Sequence, residues 1–162
     1  MAEIANEPIA DRTLTLTRII DAKPSRVFDA WTKPALLEQW FAPKPYTTPH
    51  AQIDLRTGGA NNITMRSPDG QDMPNEGVFL EVVPNKKLVF TDAFSAGWMP
   101  KSGQPFMVVT IDFADVPGGK TRYTATVRHW DIASTKRHEQ MGFHEGWGIC
   151  ADQLNELVSK SA

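Results

Sequence analysis

The side chains able to move a proton, attack a carbon or hold a metal are few: four histidines, one cysteine and a scatter of carboxylates. His138 and His144 are six residues apart, which on a helix of 3.6 residues per turn rotates them to different faces, and no His-Glu-x-x-His spacing occurs, so no metal site is expected. His129 alternates with Tyr123, Ala125 and Val127, the dry positions of a strand whose wet positions are Arg122, Thr124, Thr126 and Arg128. An imidazole placed there faces inward, as a hydrogen-bonded wall residue first and as a general acid or base second, with Tyr123 or Asp92 as the partner it would want. His144 stands one helical turn before Gly148 and near Met141, a second polar group expected to face the same interior. Cys150 falls on an apolar stripe and reads as a small hydrophobe rather than a nucleophile. No Gly-x-Ser-x-Gly elbow, phosphate loop or dinucleotide fingerprint is present, and the run Asp54, Arg56, Gly58, Gly59 reads as a turn before it reads as a site.

The elements that must carry these residues follow from periodicity. Residues 12–20 alternate Thr with Leu or Arg, the period-2 pattern of a half-buried strand. Pro24 and Pro34 each suit the first position of a short helix, with Thr32 as N-cap of the second. Strands are then expected at 51–56, 60–66, 75–83, 88–94, 105–114 and 120–130, separated by turns such as Thr57-Gly58-Gly59 and Ser67-Pro68-Asp69-Gly70, short enough to join antiparallel neighbours. From 134 to 160 the period becomes 3.6, with Phe143, Trp147, Cys150, Leu154 and Leu157 on one stripe, which predicts one long C-terminal helix. Gly142, Gly146 and Gly148 within it each disfavour helix by about 1 kcal/mol against Ala, a weakness explained if empty volume lies beside the helix.

The layout is α+β: seven antiparallel strands in one curved sheet wrapped around the long helix, with two short helices after strand one. A twisted sheet splays from a straight helix at one end and leaves a cavity. Tyr123, His129, Met141, His144 and Trp147 are the expected lining, and Trp40, Phe41, Trp98 and Met99 the expected lip or lid.

At 162 residues the chain suits one globular domain, read as a loose lead-in at 1–11 and a domain at 12–162. Seventeen Lys and Arg against 19 Asp and Glu, with no basic run, argue against nucleic acid; the absence of a long apolar run argues against membrane insertion. A single cysteine points to a reducing, cytoplasmic setting.

Four stretches resemble a known family: RIIDAKPSRVFDAWTKPALLEQWF at 18–41, DLRTGG at 54–59, GVFLEVVPNKKLVFTD at 77–92 and MGFHEGWGICADQLNEL at 141–157. Together they are similar to the SRPBCC, or START-like, superfamily, in the branch named for homologues of the activator of heat-shock-protein-90 ATPase. The resemblance implies a helix-grip fold with a cavity between sheet and C-terminal helix. The expectation is a protein that binds a small, largely apolar molecule, aromatic or lipid-like, without cofactor. Two alternatives are a cofactor-independent cyclase, dehydratase or hydrolase using a cavity histidine, and a protein-interaction or chaperone-related module. Only about eleven residues precede the first strand, whereas the namesake activator carries a further N-terminal domain, so chaperone activation is expected to be weak.

Overall fold

A computed structural model describes residues 7–160; of the lead-in, residues 1–6 lie outside the described residues. The chain enters through a single 3-10 turn, Ile9–Arg12, and continues into strand β1, Thr13–Ile20. The end of the lead-in is tied down: the Thr13 hydroxyl donates to Ile9 O at 2.6 Å, and Glu7 accepts from Ile132 N at 3.0 Å. Helices α1, Pro24–Thr32, and α2, Pro34–Leu37, follow, each with proline in its first turn. Thr32 is not the cap of α2. Its hydroxyl donates back to Phe28 O at 2.9 Å, because Thr32 is still inside α1, and Lys33 occupies the cap position.

Strands β2, Thr47–Ile53, β3, Asn61–Arg66, and β4, Asp72–Asn75, form a three-stranded sheet. Strands β5, Val78–Val83, β6, Lys87–Thr91, β9, Met107–Val116, and β10, Lys120–His129, join β1 in a five-stranded antiparallel sheet of order β1-β10-β9-β6-β5. Between β6 and β9 the short strands β7, Phe94–Ser95, and β8, Met99–Pro100, form a small hairpin. The two larger sheets touch at the Ala60–Val78 bridge, flanked by Gly58 N to Phe79 O at 2.8 Å and Asn61 N to Gly77 O at 2.9 Å.

Ten strands among the described residues therefore stand where seven were expected. The 75–83 run divides at residues 76–77, where the bare Gly77 backbone lies against the Thr91 carbonyl, and residues 72–75 pair with β3 across the Ser67–Gly70 turn. β2 starts before Pro49, which it tolerates at a register shift between Thr47 and His50. The long C-terminal helix is two helices, α3, Ile132–Gln140, and α4, Phe143–Ser159. Gly142, at φ 95°, makes the left-handed break between them, a conformation that a side chain disfavours. Asp131 caps α3 by accepting from Ser134 N at 2.7 Å.

Cross-strand register defines one inner face of the large sheet: Leu14, Leu16 and Ile20 on β1, Tyr123 to His129 in alternation on β10, Met107 to Phe113 on β9, and Leu88 and Phe90 on β6. Helix α4 covers the β1 side through Phe143, Ala151, Leu154 and Val158, while α1 brings Phe28 edge-on to Phe113 at 5.5 Å. The glycine pair after Arg56 belongs to this framework. Gly58 has φ 81°, and a Cβ there would lie 2.9 Å from Trp98 Nε1, so the indole of the small hairpin packs on its bare backbone.

Replacing Gly58 by Val is expected to lower unfolding free energy by about 1 to 3 kcal/mol, through strain at positive φ and loss of the Trp98 seat. Chemical denaturation measures this, and an unchanged midpoint would contradict the assignment.

Candidate functional site

At the end of β10 the inner row closes on a polar residue in a dry setting. His129 is 1% exposed. Its Nδ1 lies 3.2 Å from the Arg12 carbonyl oxygen, and its Nε2 lies 2.9 Å from Nδ1 of His138 on α3. A carbonyl only accepts, so His129 carries its proton on Nδ1 and presents a lone pair on Nε2; His138 must then donate from Nδ1. The chain of donors ends with His138 Nε2 as a lone-pair acceptor. That nitrogen has no hydrogen-bond partner among the described residues. No fully buried side-chain nitrogen or oxygen among them lacks a partner, so Nε2 opens at the surface although His138 is only 8% exposed.

Aromatic rings enclose the pair. Phe106 stands 5.3 Å from the His129 ring and 4.9 Å from His138; Phe143 and Trp147 on α4 lie 5.1 and 6.3 Å from His138. Phe106 is held there by Asp92, whose carboxylate accepts from Phe106 N and Met107 N at 3.0 Å. The Arg137 guanidinium carbon lies over the Phe106 ring, 5.6 Å from its centroid. Burial lowers the pKa of both imidazoles: His138 falls to about 4 with a smaller push from the neighbouring His129, and His129 is lowered despite its bond to Arg12 O and the nearby Asp131.

The residues singled out from the sequence divide between this cluster, the core and the surface. His129 and Trp147 meet in the cluster. Tyr123 is in the core, where its hydroxyl accepts from Trp31 Nε1 at 3.1 Å and burial raises its pKa, so neither Tyr123 nor Asp92 partners His129. Met141 is 72% exposed, and His144 pairs with Glu139 at 3.1 Å on the outside. The inward expectation for Met141 needs one helical period running through Gly142, where the helix stops; that for His144 rests on the side of Gly148, which the Arg18 guanidinium occupies. Trp40 is core, donating to Ala30 O at 2.9 Å, whereas Phe41 is half-buried. Trp98 and Met99 are exposed on the β7–β8 hairpin. Burial lifts the Cys150 thiol to about 11, as befits a half-buried hydrophobe. His138, which the sequence presents only as a candidate metal ligand, becomes the partner of His129 through the docking of α3 on β10, which no spacing encodes.

A Cβ on Gly146 would have no neighbour within 4 Å, and Phe41, Phe90, Met107, Trp147 and Cys150 are half-buried against the core. Gly148, by contrast, is filled by the Arg18 guanidinium, 2.9 Å from its would-be Cβ. A separate open depression of about 640 Å³ lies at the far end of the sheet among Lys23, Ser25, Lys86, Asp112 and Asp115, and shares no residue with the histidine cluster. Among the described residues no three of His, Cys, Asp or Glu converge as metal ligands.

The histidine pair gives stability a pH dependence of defined sign. Both folded-state pKa values lie below the ordinary 6.5, so the contribution is complete above pH 6.5 and is lost as pH falls toward about 4, where the unfolded chain binds protons that the fold refuses. The urea midpoint is expected to be flat from pH 8 to 7 and to fall between 6.5 and 4. His138→Phe should flatten much of that fall, and an identical profile in the variant would refute the assignment.

With the geometry established, comparison places the chain among known proteins. The family model described as activator of Hsp90 ATPase homolog 1-like protein matches residues 21–159. A crystal structure of a protein from Nitrosomonas europaea is 39% identical, over 93% of this chain and 96% of that one, with a TM-score of 0.88. A Mycobacterium smegmatis protein at 22% identity, over 99% and 98%, has a TM-score of 0.79. The AHSA1-like protein from Aeromonas hydrophila, at 22% over 90% and 92%, has a TM-score of 0.66; these two share the fold. No curated protein matches. The helix-grip architecture, the family match over most of the chain and the 39% identical relative together establish that this chain belongs to the activator of Hsp90 ATPase homologue 1-like family of the SRPBCC superfamily.

Proposed function

We propose that the protein binds a small, largely apolar molecule where α4 departs from the β6–β9 side of the sheet. The observation that carries this reading is that a Cβ on Gly146, next in sequence to Trp147, would meet no atom within 4 Å, in a helix packed on a core whose partly buried apolar side chains include Cys150, Met107, Phe90 and Phe41. Half-buried aromatic and sulfur-bearing groups are what an adaptable apolar site offers. A ligand burying about 250 Å² of apolar surface gains roughly 6 kcal/mol at about 25 cal/mol per Å². Association costs at least about 4 kcal/mol, so polar anchoring must supply the rest for micromolar affinity. Binding is favoured over acid–base catalysis because an imidazole with a pKa of about 4 is a weak base at neutral pH. No helix among the described residues is long and apolar enough to cross a membrane, and the free thiol of Cys150 suits a reducing cytoplasm.

Titration with small aromatics and fatty acids, followed by tryptophan fluorescence, is expected to give saturable changes reported by Trp147. Gly146→Leu fills the space and should abolish them with the fold intact by circular dichroism. Saturation that persists unchanged in the leucine variant would place binding elsewhere.

A further inference from the structure

We infer that His138 Nε2 is the polar anchor of this site, a hydrogen-bond acceptor that selects ligands carrying a hydroxyl or N–H donor on an aromatic body. The inference deepens the apolar-binding reading and rests on it. Four observations on the relay support it. The Arg12 carbonyl fixes the tautomer of His129, and His129 in turn fixes that of His138, so the acceptor character of Nε2 is imposed by backbone geometry. Nε2 has no partner among the described residues although more than nine-tenths of the residue is buried. The rings of Phe106, Phe143 and Trp147 stand within 4.9 to 6.3 Å of His138, so a molecule bonded to Nε2 meets aromatic faces, including that of the tryptophan next to Gly146. The ring also stays uncharged at neutral pH, because burial and the adjacent His129 oppose its protonation.

This arrangement favours a neutral donor over an anion. A carboxylate brings only lone pairs to meet the lone pair of Nε2, and Arg137, the cation beside His138 in sequence, is engaged over the Phe106 ring. An ether of the same shape fills the same space but has no proton to give. The class selected is therefore phenols and aromatic alcohols or amides. Discrimination by a fixed, partly buried acceptor is strong because the analogue without a donor leaves that acceptor unpaired.

The test uses the full-length protein with three probes of one shape: 2-naphthol, 2-methoxynaphthalene and 2-naphthoate at pH 7. Calorimetry is expected to show the naphthol binding at least about tenfold more tightly than either of the others. In histidine-¹⁵N-labelled protein, long-range ¹H–¹⁵N spectra should show both imidazoles protonated on Nδ1 before addition, with the His138 Nε2 signal moving on addition of naphthol alone. His138→Phe should bring naphthol and its ether within about twofold of each other. If that variant fails to fold, the tautomer and the ¹⁵N shift in the unaltered protein still decide the matter. Equal binding of naphthol and ether with Trp147 perturbed overturns the acceptor role and leaves the apolar site standing. Tighter binding of naphthoate, or an Nε2–H tautomer at His138, overturns it as well. If none of the probes binds, the site itself is refuted and the inference falls with it.

Discussion

One apolar sheet face, wider than any single helix, sets the terms for the rest of this molecule. Five strands about 4.8 Å apart span about 19 Å, whereas a helix with its side chains covers about 10 to 12 Å. Helix α4 covers the β1 side, with the Arg18 guanidinium lying against the bare backbone of Gly148. The remaining width falls to α1, whose Trp31 stacks edge-on against Trp40 at 5.1 Å and Phe41 at 5.9 Å while bonding Tyr123. Among the side chains packed on this core, Phe41, Phe90, Met107, Trp147 and Cys150 are neither fully dry nor fully wet.

The same constraint explains why a polar pair is tolerated beside the core. Each buried imidazole nitrogen is satisfied in sequence, carbonyl to His129 to His138, and the one valence left over is delivered to the edge of the cover. Moving that valence inward would leave an orphaned acceptor; moving it outward would let water protonate the pair. Asp92 and Arg12 hold the frame from two sides, the first through the amides that seat Phe106 and the second by donating to the His129 carbonyl at 3.0 Å.

Periodicity made the large sheet, the two proline-started helices and the inward face of His129 legible, because each depends on local alternation and on a dry-or-wet choice repeated over several residues. Two features escaped it. The apolar stripe Phe143, Trp147, Cys150 and Leu154 starts only after Gly142, and residues 134–140 are polar, so no change of period marks the left-handed turn; Gly142 stands out only as a poor helix former, one of three such glycines, and the inward expectation for Met141 fails there. The meeting of His129 with His138 depends on how α3 docks on β10, which no spacing encodes. The helix glycines differ: a Cβ on Gly146 would meet nothing within 4 Å, Gly148 makes room for an arginine and Gly142 separates two helices.

The strand order has a consequence in time. β1 opens the sheet and is hydrogen-bonded only to β10, with Thr13 opposite Arg128 and Ile20 opposite Thr121. At a synthesis rate of about 5 to 20 residues per second, the partner emerges roughly 5 to 20 s after β1 itself. The hairpins β2–β3–β4 and β5–β6 can close locally in that interval, but the row Leu14, Leu16 and Ile20 has nothing to pair with. On the opposite face of the waiting strand stand Thr15 and Thr17, exposed in the finished protein, which keep one side of an unpaired edge hydrated. Closure of the molecule is therefore an event of its last strand, and a chain stopped before residue 120 leaves its first strand an open template for intermolecular pairing.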